Sequence, residues 1–237
     1  MRTSLFIILA LAACGDDGGK ATPDAKPATP DAAATPDAAP TPTLDCNTYC
    51  TEIQTNCKDT NAQYVDMDHC LGSCKAFPPG AITDKTGDTL GCRIYHAGTP
   101  AAGDPVLHCP HAGPGGDKIS AAAPQGFCSG GNVCEDFCNI EVKTCGTTAA
   151  PLTGITPQYA DNADCLAKCG AFPNKTTDYA NNASKGDTLA CRLYHVTNAA
   201  ASSVKTPVDT AGINTHCGHS GPNGGAMQAT CMTGTAP

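Results

Sequence analysis

The order of apolar and polar positions divides this chain into three parts. Residues 5–13 form an uncharged apolar run that is shorter than the roughly 20 residues a helix needs to span a bilayer. Residues 15–45 have no hydrophobic periodicity and contain the sequence Ala-Thr-Pro-Asp-Ala three times. From Cys46 onward, apolar residues recur at helical spacing. The pattern predicts a disordered tether followed by a helical folded part.

The first two predicted helices each carry a Cys-x3-Cys pair. From Cys46, apolar positions recur at i, i+4, i+7 and i+11, which places them on one face of a helix. In the second segment, Cys70 and Cys74 are one helical turn apart, and either Asp66 or Asp68 can cap the start of the helix. Two short helices facing each other through cysteines are therefore expected.

A third helix is predicted to begin at an aspartate. Asp88, and Asp187 at the matching place later in the chain, precede Thr-Leu and are suited to accept hydrogen bonds from the first turn. Gly98 and Pro100 are expected to end the helix that starts at Asp88. The segment from His108 onward is rich in glycine and proline, and the sequence predicts a disulfide-stapled loop there.

The cysteines indicate that the folded part is a duplication. One of the 17 cysteines is Cys14, and the others form two runs of eight in the same order. Both runs contain Cys-x3-Cys-x6-Cys, a second Cys-x3-Cys, Gly-Asp-Thr-Leu-x-Cys-Arg-x-Tyr-His, and His-Cys-x-His-x-Gly-Pro. We name residues 46–128 the first copy and residues 134–231 the second copy.

The apolar run at the N-terminus ends in Leu-Ala-Ala-Cys14 and follows the positive Arg2. This tetrapeptide resembles the lipobox of bacterial lipoproteins, whose cysteine is lipidated, with palmitate among the acyl chains. The resemblance implies a signal peptide over residues 1–13, lipid on Cys14, and a tether over residues 14–45. An ordinary secretory signal, with Cys14 near its end by chance, is the alternative.

Eight cysteines per copy, in an exported chain, indicate four disulfides per copy. The sequence has no Trp and only 5% aromatic residues, so each small copy needs cross-links for part of its stability. The spacing alone leaves the pairing open. The cysteines expected in disulfides are Cys46, Cys50, Cys57, Cys70, Cys74, Cys92, Cys109 and Cys128 in the first copy, and Cys134, Cys138, Cys145, Cys165, Cys169, Cys191, Cys217 and Cys231 in the second.

The paired Cys-x3-Cys segments resemble the twin Cys-x3-Cys helical hairpins of small disulfide proteins. In those proteins the two inner cysteines pair with each other and the two outer cysteines do likewise. The resemblance implies the bonds Cys50–Cys70, Cys46–Cys74, Cys138–Cys165 and Cys134–Cys169.

Six of the seven histidines occupy matching places in the two copies. Three imidazoles per copy is the ligand number of an open Zn²⁺ or Cu²⁺ site. The alternative is that these side chains hydrogen-bond the glycine-rich segments and order them. The candidate metal ligands are His96, His108 and His111 in the first copy, and His195, His216 and His219 in the second.

An arginine follows the cysteine of the third predicted helix in each copy. Arg93 and Arg192 could each bind an anionic ligand through the guanidinium fork. The alternative is an ion pair with a nearby carboxylate, for which Asp66 and Asp161 are the candidates.

Charge and missing motifs exclude several functions. The net charge is −8, with no basic patch, so nucleic acid is not an expected partner. The chain has no Cys-x-x-Cys, His-Glu-x-x-His, Gly-x-Ser-x-Gly or P-loop sequence. With every cysteine of the copies assigned to a disulfide, no free thiol is left for catalysis, and the sequence gives no catalytic residue.

The sequence thus predicts a mostly α, small, disulfide-rich protein of two tandem repeats, built from short helices and stapled loops after the tether. We expect a lipid-anchored lipoprotein of the cell envelope, held at the outer membrane by Cys14. Its first expected role is non-catalytic: the protein either binds an unknown protein or glycan or has a structural role. This role requires no cofactor. An envelope Zn- or Cu-binding protein is the second hypothesis, and a metal-dependent enzyme is the third.

Overall fold

Helices provide the regular structure of the residues that the structure describes, and no strand occurs among them. The computed structural model describes residues 42–117, 127–129, 133–173, 179–224 and 230–232. The predictions for the signal peptide, for Cys14 and for the tether up to residue 41 lie outside these ranges. The mostly helical, disulfide-rich fold class is confirmed.

The helices follow one another in the same order in the two copies. In the first copy they are α1 Cys46–Asn56, α2 Met67–Cys74, α3 Leu90–Ala97, α4 Thr99–Gly103 and α5 Pro105–Ala112, with a 3-10 turn at Asp59–Asn61. In the second copy they are α6 Val133–Cys145, α7 Asn162–Gly170, α8 Leu189–Val204 and α9 Thr210–Ser220. No helix in the described ranges is long and apolar enough to cross a membrane.

Aspartate and threonine side chains cap these helices. Asp66 begins α2 by accepting a hydrogen bond from the backbone N–H of His69, so this predicted cap is confirmed. The predicted cap of the third helix is wrong by one residue, because Thr89 accepts from the N–H of Cys92. Asp88 instead binds the guanidinium of Arg93 at 2.7 Å.

The second copy has the same arrangement of threonine cap and aspartate–arginine pair. Thr188 caps α8, and Asp187 pairs with Arg192 at 2.8 Å. The candidates Asp66 and Asp161 are wrong as arginine partners, because both are occupied as helix caps. Each arginine is therefore held by the aspartate five residues before it in sequence.

The prediction of a stapled loop from His108 onward is wrong for its first residues, because these are helical in both copies: α5 continues to Ala112 and α9 to Ser220. In the first copy, α5 begins with Pro105 and is capped by Asp104. Proline is tolerated there because the N–H of a first helical residue has no partner within the helix. The helix ends at Gly113, so the glycines that suggested a loop come after it. The matching His-Cys-x-His of the second copy lies on α9.

Eight disulfides staple the fold, and each joins two cysteines of the same copy. The inner and outer pairs implied by the helical hairpins are confirmed: Cys50–Cys70, Cys46–Cys74, Cys138–Cys165 and Cys134–Cys169. The other bonds are Cys57–Cys109 and Cys92–Cys128 in the first copy, and Cys145–Cys217 and Cys191–Cys231 in the second.

The described residues of the two copies share an interface and form one compact unit. Helix α2 of the first copy packs against α8 of the second, and the contact is so close that a Cβ on Gly72 would lie 2.2 Å from the backbone oxygen of Ala200. A fully buried ion pair also crosses the interface, between Arg93 and Asp136. Burial alone would lower the pKa of Arg93, but the carboxylates of Asp136 and Asp88 raise it further above its ordinary value.

Helix α8 is long because the second copy lacks a break that the first copy has. Gly98 caps α3 and Pro100 begins α4, so the first copy turns at this point. At the matching place the second copy has Thr197, Asn198 and Ala199, and α8 continues to Val204. The extension provides the surface on which α2 packs.

Candidate metal centres

The three histidines of the first copy meet at one place. His96 lies near the end of α3, while His108 and His111 lie one turn apart on α5. The Nδ1 atoms of His96 and His108 are 3.0 Å apart, and one nitrogen from each of the three rings lies within 4.8 Å of the others. We name His96, His108 and His111 the first histidine cluster.

The second copy builds the same arrangement. His195 comes from α8, and His216 and His219 come from α9. The Nδ1 of His195 is 3.0 Å from that of His216 and 3.4 Å from that of His219. We name these three residues the second histidine cluster. The histidines that the sequence singled out are thus brought together in both copies.

A disulfide holds the helices of each cluster in place. Cys109, on the same helix as His108, is bonded to Cys57 at the end of α1, and Cys217 is bonded to Cys145 at the end of α6. Two of the three rings in each cluster therefore sit on a helix that is covalently fixed against the hairpin of its own copy.

The ring that comes from α3 or α8 is oriented by a backbone carbonyl. The Nε2 atom of His96 is 3.1 Å from the carbonyl oxygen of Lys85, and that of His195 is 3.2 Å from the carbonyl oxygen of Ser184. A carbonyl only accepts, so Nε2 carries the proton and Nδ1 presents a lone pair to the cluster. The expected hydrogen bonding to loops is thus real, and it leaves the other ring nitrogen available.

The spacing of the nitrogen atoms matches that of ligands around one ion. A tetrahedral ion with Zn–N bonds of about 2.0–2.1 Å has ligand atoms about 3.3–3.4 Å apart. The separations of 3.0 and 3.4 Å in the second histidine cluster are close to this value. Two Nδ1 atoms that face each other can share only one hydrogen. A cation is therefore a better partner for three lone pairs that point to one place than another imidazole is.

Burial keeps several of these rings neutral. It lowers the pKa of His96, His195 and His216 to about 4 in each case, and neighbouring histidines lower it further. Burial also lowers the pKa of His108. Since the lowered values favour the uncharged ring, these imidazoles are in the ligand form at neutral pH.

The surroundings of the first histidine cluster include two residues that the sequence did not single out. Asp117 faces the Nε2 of His111 at 3.3 Å, and both side chains are 5% exposed. The ring of Phe127 lies over His111, with the ring centres 4.3 Å apart. The disulfide Cys92–Cys128 holds Phe127 there. Sequence signals were weak, because both residues lie in a glycine-rich segment without helical spacing.

The second histidine cluster borders a cavity of about 180 Å³ between the copies, which His216 lines. His69 of α2 also lines it and bridges the copies, since its ring nitrogens lie 2.6 Å from Asp66 and 3.2 Å from Asn198. His69 is the histidine without a counterpart in the repeat. Its role in the structure is a contact across the interface.

Cysteine thiolates do not contribute to either cluster in the described structure. Cys92 and Cys128 lie close to His96, and Cys191 and Cys231 close to His195, but both pairs are disulfides. The predicted lipidation residue, Cys14, lies outside the described residues. Histidine nitrogen is thus the donor set that the fold assembles.

Comparison with known protein families gives a match over part of the chain. A family model described as the BfoA family C-terminal domain matches residues 29–137, which include the whole first copy and the start of α6. No curated protein and no solved structure matches the chain. Over these residues, the chain is similar to the BfoA family C-terminal domain.

Proposed function

We propose that this protein binds one transition-metal ion, Zn²⁺ or Cu²⁺, in each copy, with the first and second histidine clusters as the ligands. The observation that carries the proposal is the separation of 3.0 and 3.4 Å between the Nδ1 atoms in the second cluster. Both metals accept imidazole, and three protein ligands leave one position for water or an external ligand.

The repetition of the cluster supports the proposal. The loops between the matching sequence blocks differ, yet each copy brings three rings together, two of them on a stapled helix, and fixes the third by a backbone carbonyl. Hydrogen bonding of this kind at the far nitrogen is how proteins orient histidine ligands. Ordering a loop would need only one ring per copy.

We place this metal binding at the cell envelope. The lipobox-like sequence at Cys14 makes the protein a lipoprotein whose tether holds the two copies away from the outer membrane. Disulfides suit an oxidising compartment of this kind. The role is binding of metal without catalysis.

Metal analysis of the full chain, purified without chelators, tests the proposal. We expect about two equivalents of Zn or Cu per chain, with one equivalent lost in His96→Ala, one in His195→Ala and both in the double variant. The matched control is His69→Gln, which should keep both equivalents because His69 belongs to neither cluster.

The variants must keep their disulfides for the comparison to hold. Intact mass and far-UV circular dichroism check this in each variant. Less than about one equivalent of metal in the wild-type chain, after exposure to Zn²⁺ and to Cu²⁺, would contradict the proposal. So would equal losses in the His69 control.

A further inference from the structure

A carboxylate lies beside the first histidine cluster and has no counterpart in the sequence of the second copy. In the first copy the sequence His111-Ala-Gly-Pro-Gly-Gly ends in Asp117. The second copy has His219-Ser-Gly-Pro-Asn-Gly at this place, and the residue that matches Asp117 is Gly225. A carboxylate is thus available to one cluster, and the equivalent position of the other has no side chain.

Asp117 is placed to act on His111. Its Oδ1 atom is 3.3 Å from Nε2 of the ring, and 5% of each side chain is exposed, so water screens the contact little. A carboxylate accepts a hydrogen bond from the Nε2–H group, and this tautomer has its lone pair on Nδ1. The Nδ1 atom of His111 is buried and has no hydrogen-bond partner among the described residues.

The first histidine cluster also has an aromatic neighbour. The Phe127 ring over His111 keeps water away from the same place, which strengthens the field of the carboxylate. The second copy has Thr230 at the position that matches Phe127.

We propose that Asp117 is a positioning residue for the first histidine cluster and makes it the tighter of the two metal sites. This inference rests on the proposed function. A carboxylate behind a histidine ligand fixes the ring tautomer and raises the basicity of the ligating nitrogen. The first equivalent of metal therefore binds in the first copy, and the second copy loads at higher metal concentration.

Titration of the metal-free full chain with Co²⁺, followed by its visible absorption, tests the order of loading. In the wild type we expect two steps. Asp117→Asn keeps the shape of the side chain but removes its charge, and it should weaken the tighter step about 10–100-fold and leave the other step unchanged. The absorption bands of Co²⁺ in the first copy should shift as well, which a purely structural role would not cause.

Two further variants assign the steps. His219→Ala removes the second histidine cluster, so the remaining step should be the tight one and should weaken when Asp117→Asn is added. Asp59→Asn removes an exposed carboxylate of the same copy and should leave both steps as they are.

The outcomes separate this inference from the proposed function. Absence of Co²⁺ binding in the wild type would overturn both. Two binding steps that Asp117→Asn leaves unchanged, or weakens equally, would overturn the role of Asp117 and keep the metal sites.

Discussion

Glu141 shows how far a single residue departs from the repeat. It is fully buried on α6, at the position where the first copy has Ile53. Its Oε2 accepts a hydrogen bond from the Ser220 hydroxyl at 2.7 Å, whereas Oε1 has no hydrogen-bond partner in the described structure. Burial raises the pKa of Glu141 to about 8, so the carboxyl is neutral at pH 7.

We expect this carboxyl to make stability fall as the pH rises. The unfolded chain loses the Glu141 proton near its ordinary pKa of 4.5, while the folded chain keeps it up to about pH 8. The folded state therefore holds one more proton between these values, and the free energy of unfolding decreases by about 1.4 kcal/mol per pH unit. Guanidinium unfolding at pH 7 and pH 8 measures the change, because the buried histidines, whose pKa is lowered to about 4 from 6.5, make stability rise with pH only below this range.

Glu141→Gln keeps the size of the side chain and its contact with Ser220 but cannot ionise. The loss of stability with rising pH should be smaller in this variant than in the wild type. Glu135→Gln, on the exposed side of the same helix, is the control and should behave like the wild type. Equal pH dependence in Glu141→Gln and the wild type would contradict the buried, neutral carboxyl.

At the scale of helices, the two copies differ in how their second helix packs. Helix α2 packs against α8 of the other copy, whereas its counterpart α7 exposes the matching position. The first copy has Gly72 there and the second has Ala167. At this position α7 carries a side chain. On α2 a side chain would collide with the backbone of α8.

Gly72→Ala should destabilise the protein although alanine favours helices. The new Cβ would lie 2.2 Å from the carbonyl oxygen of Ala200, which is backbone and cannot turn aside. We expect a loss of about 1–3 kcal/mol in the free energy of unfolding, as for overpacked sites. Denaturant unfolding with the disulfides intact measures it.

The control for this prediction is the reverse change in the other copy. Ala167 is exposed, so Ala167→Gly should cost only the helix propensity, about 0.5–1 kcal/mol. A Gly72→Ala protein as stable as the wild type would mean that α2 and α8 do not pack as closely as described.

At the scale of the whole molecule, the proposal makes a prediction about attachment to the membrane. The proposed localisation rests on the lipobox-like sequence that ends at Cys14. We expect the wild-type chain, expressed in a bacterial host, to sediment with membranes and to be released by detergent. Cys14→Ser should move it to the soluble fraction, because no acyl chain can be attached.

Mass spectrometry of the same samples identifies the cause. The wild-type chain should begin at a Cys14 that carries acyl chains. Fractionation of Cys14→Ser with the membranes, at the wild-type proportion, would contradict the lipid anchor. The metal proposal would be unaffected, since both histidine clusters lie in the folded part.

The sequence predicted those features that depend on neighbouring residues. The face formed by Cys46 and Cys50 on α1, the Asp66 cap of α2 and the turn at Gly98 all follow from spacings of a few residues. It failed where one residue type has two uses. Asp88 looks like a cap but binds Arg93. Of the prolines near His108, Pro105 begins a helix and Pro110 lies within it.

The sequence by itself determined the duplication, the set of cysteines in disulfides and the six histidines that can act together, because these are matters of order and count. Only the tertiary structure decided that those histidines converge on shared points. It also decided that Asp117 stands behind one of the two clusters and that α2 joins the copies. These contacts link residues far apart in sequence, and their geometry depends on how the stapled helices pack, which no local spacing encodes.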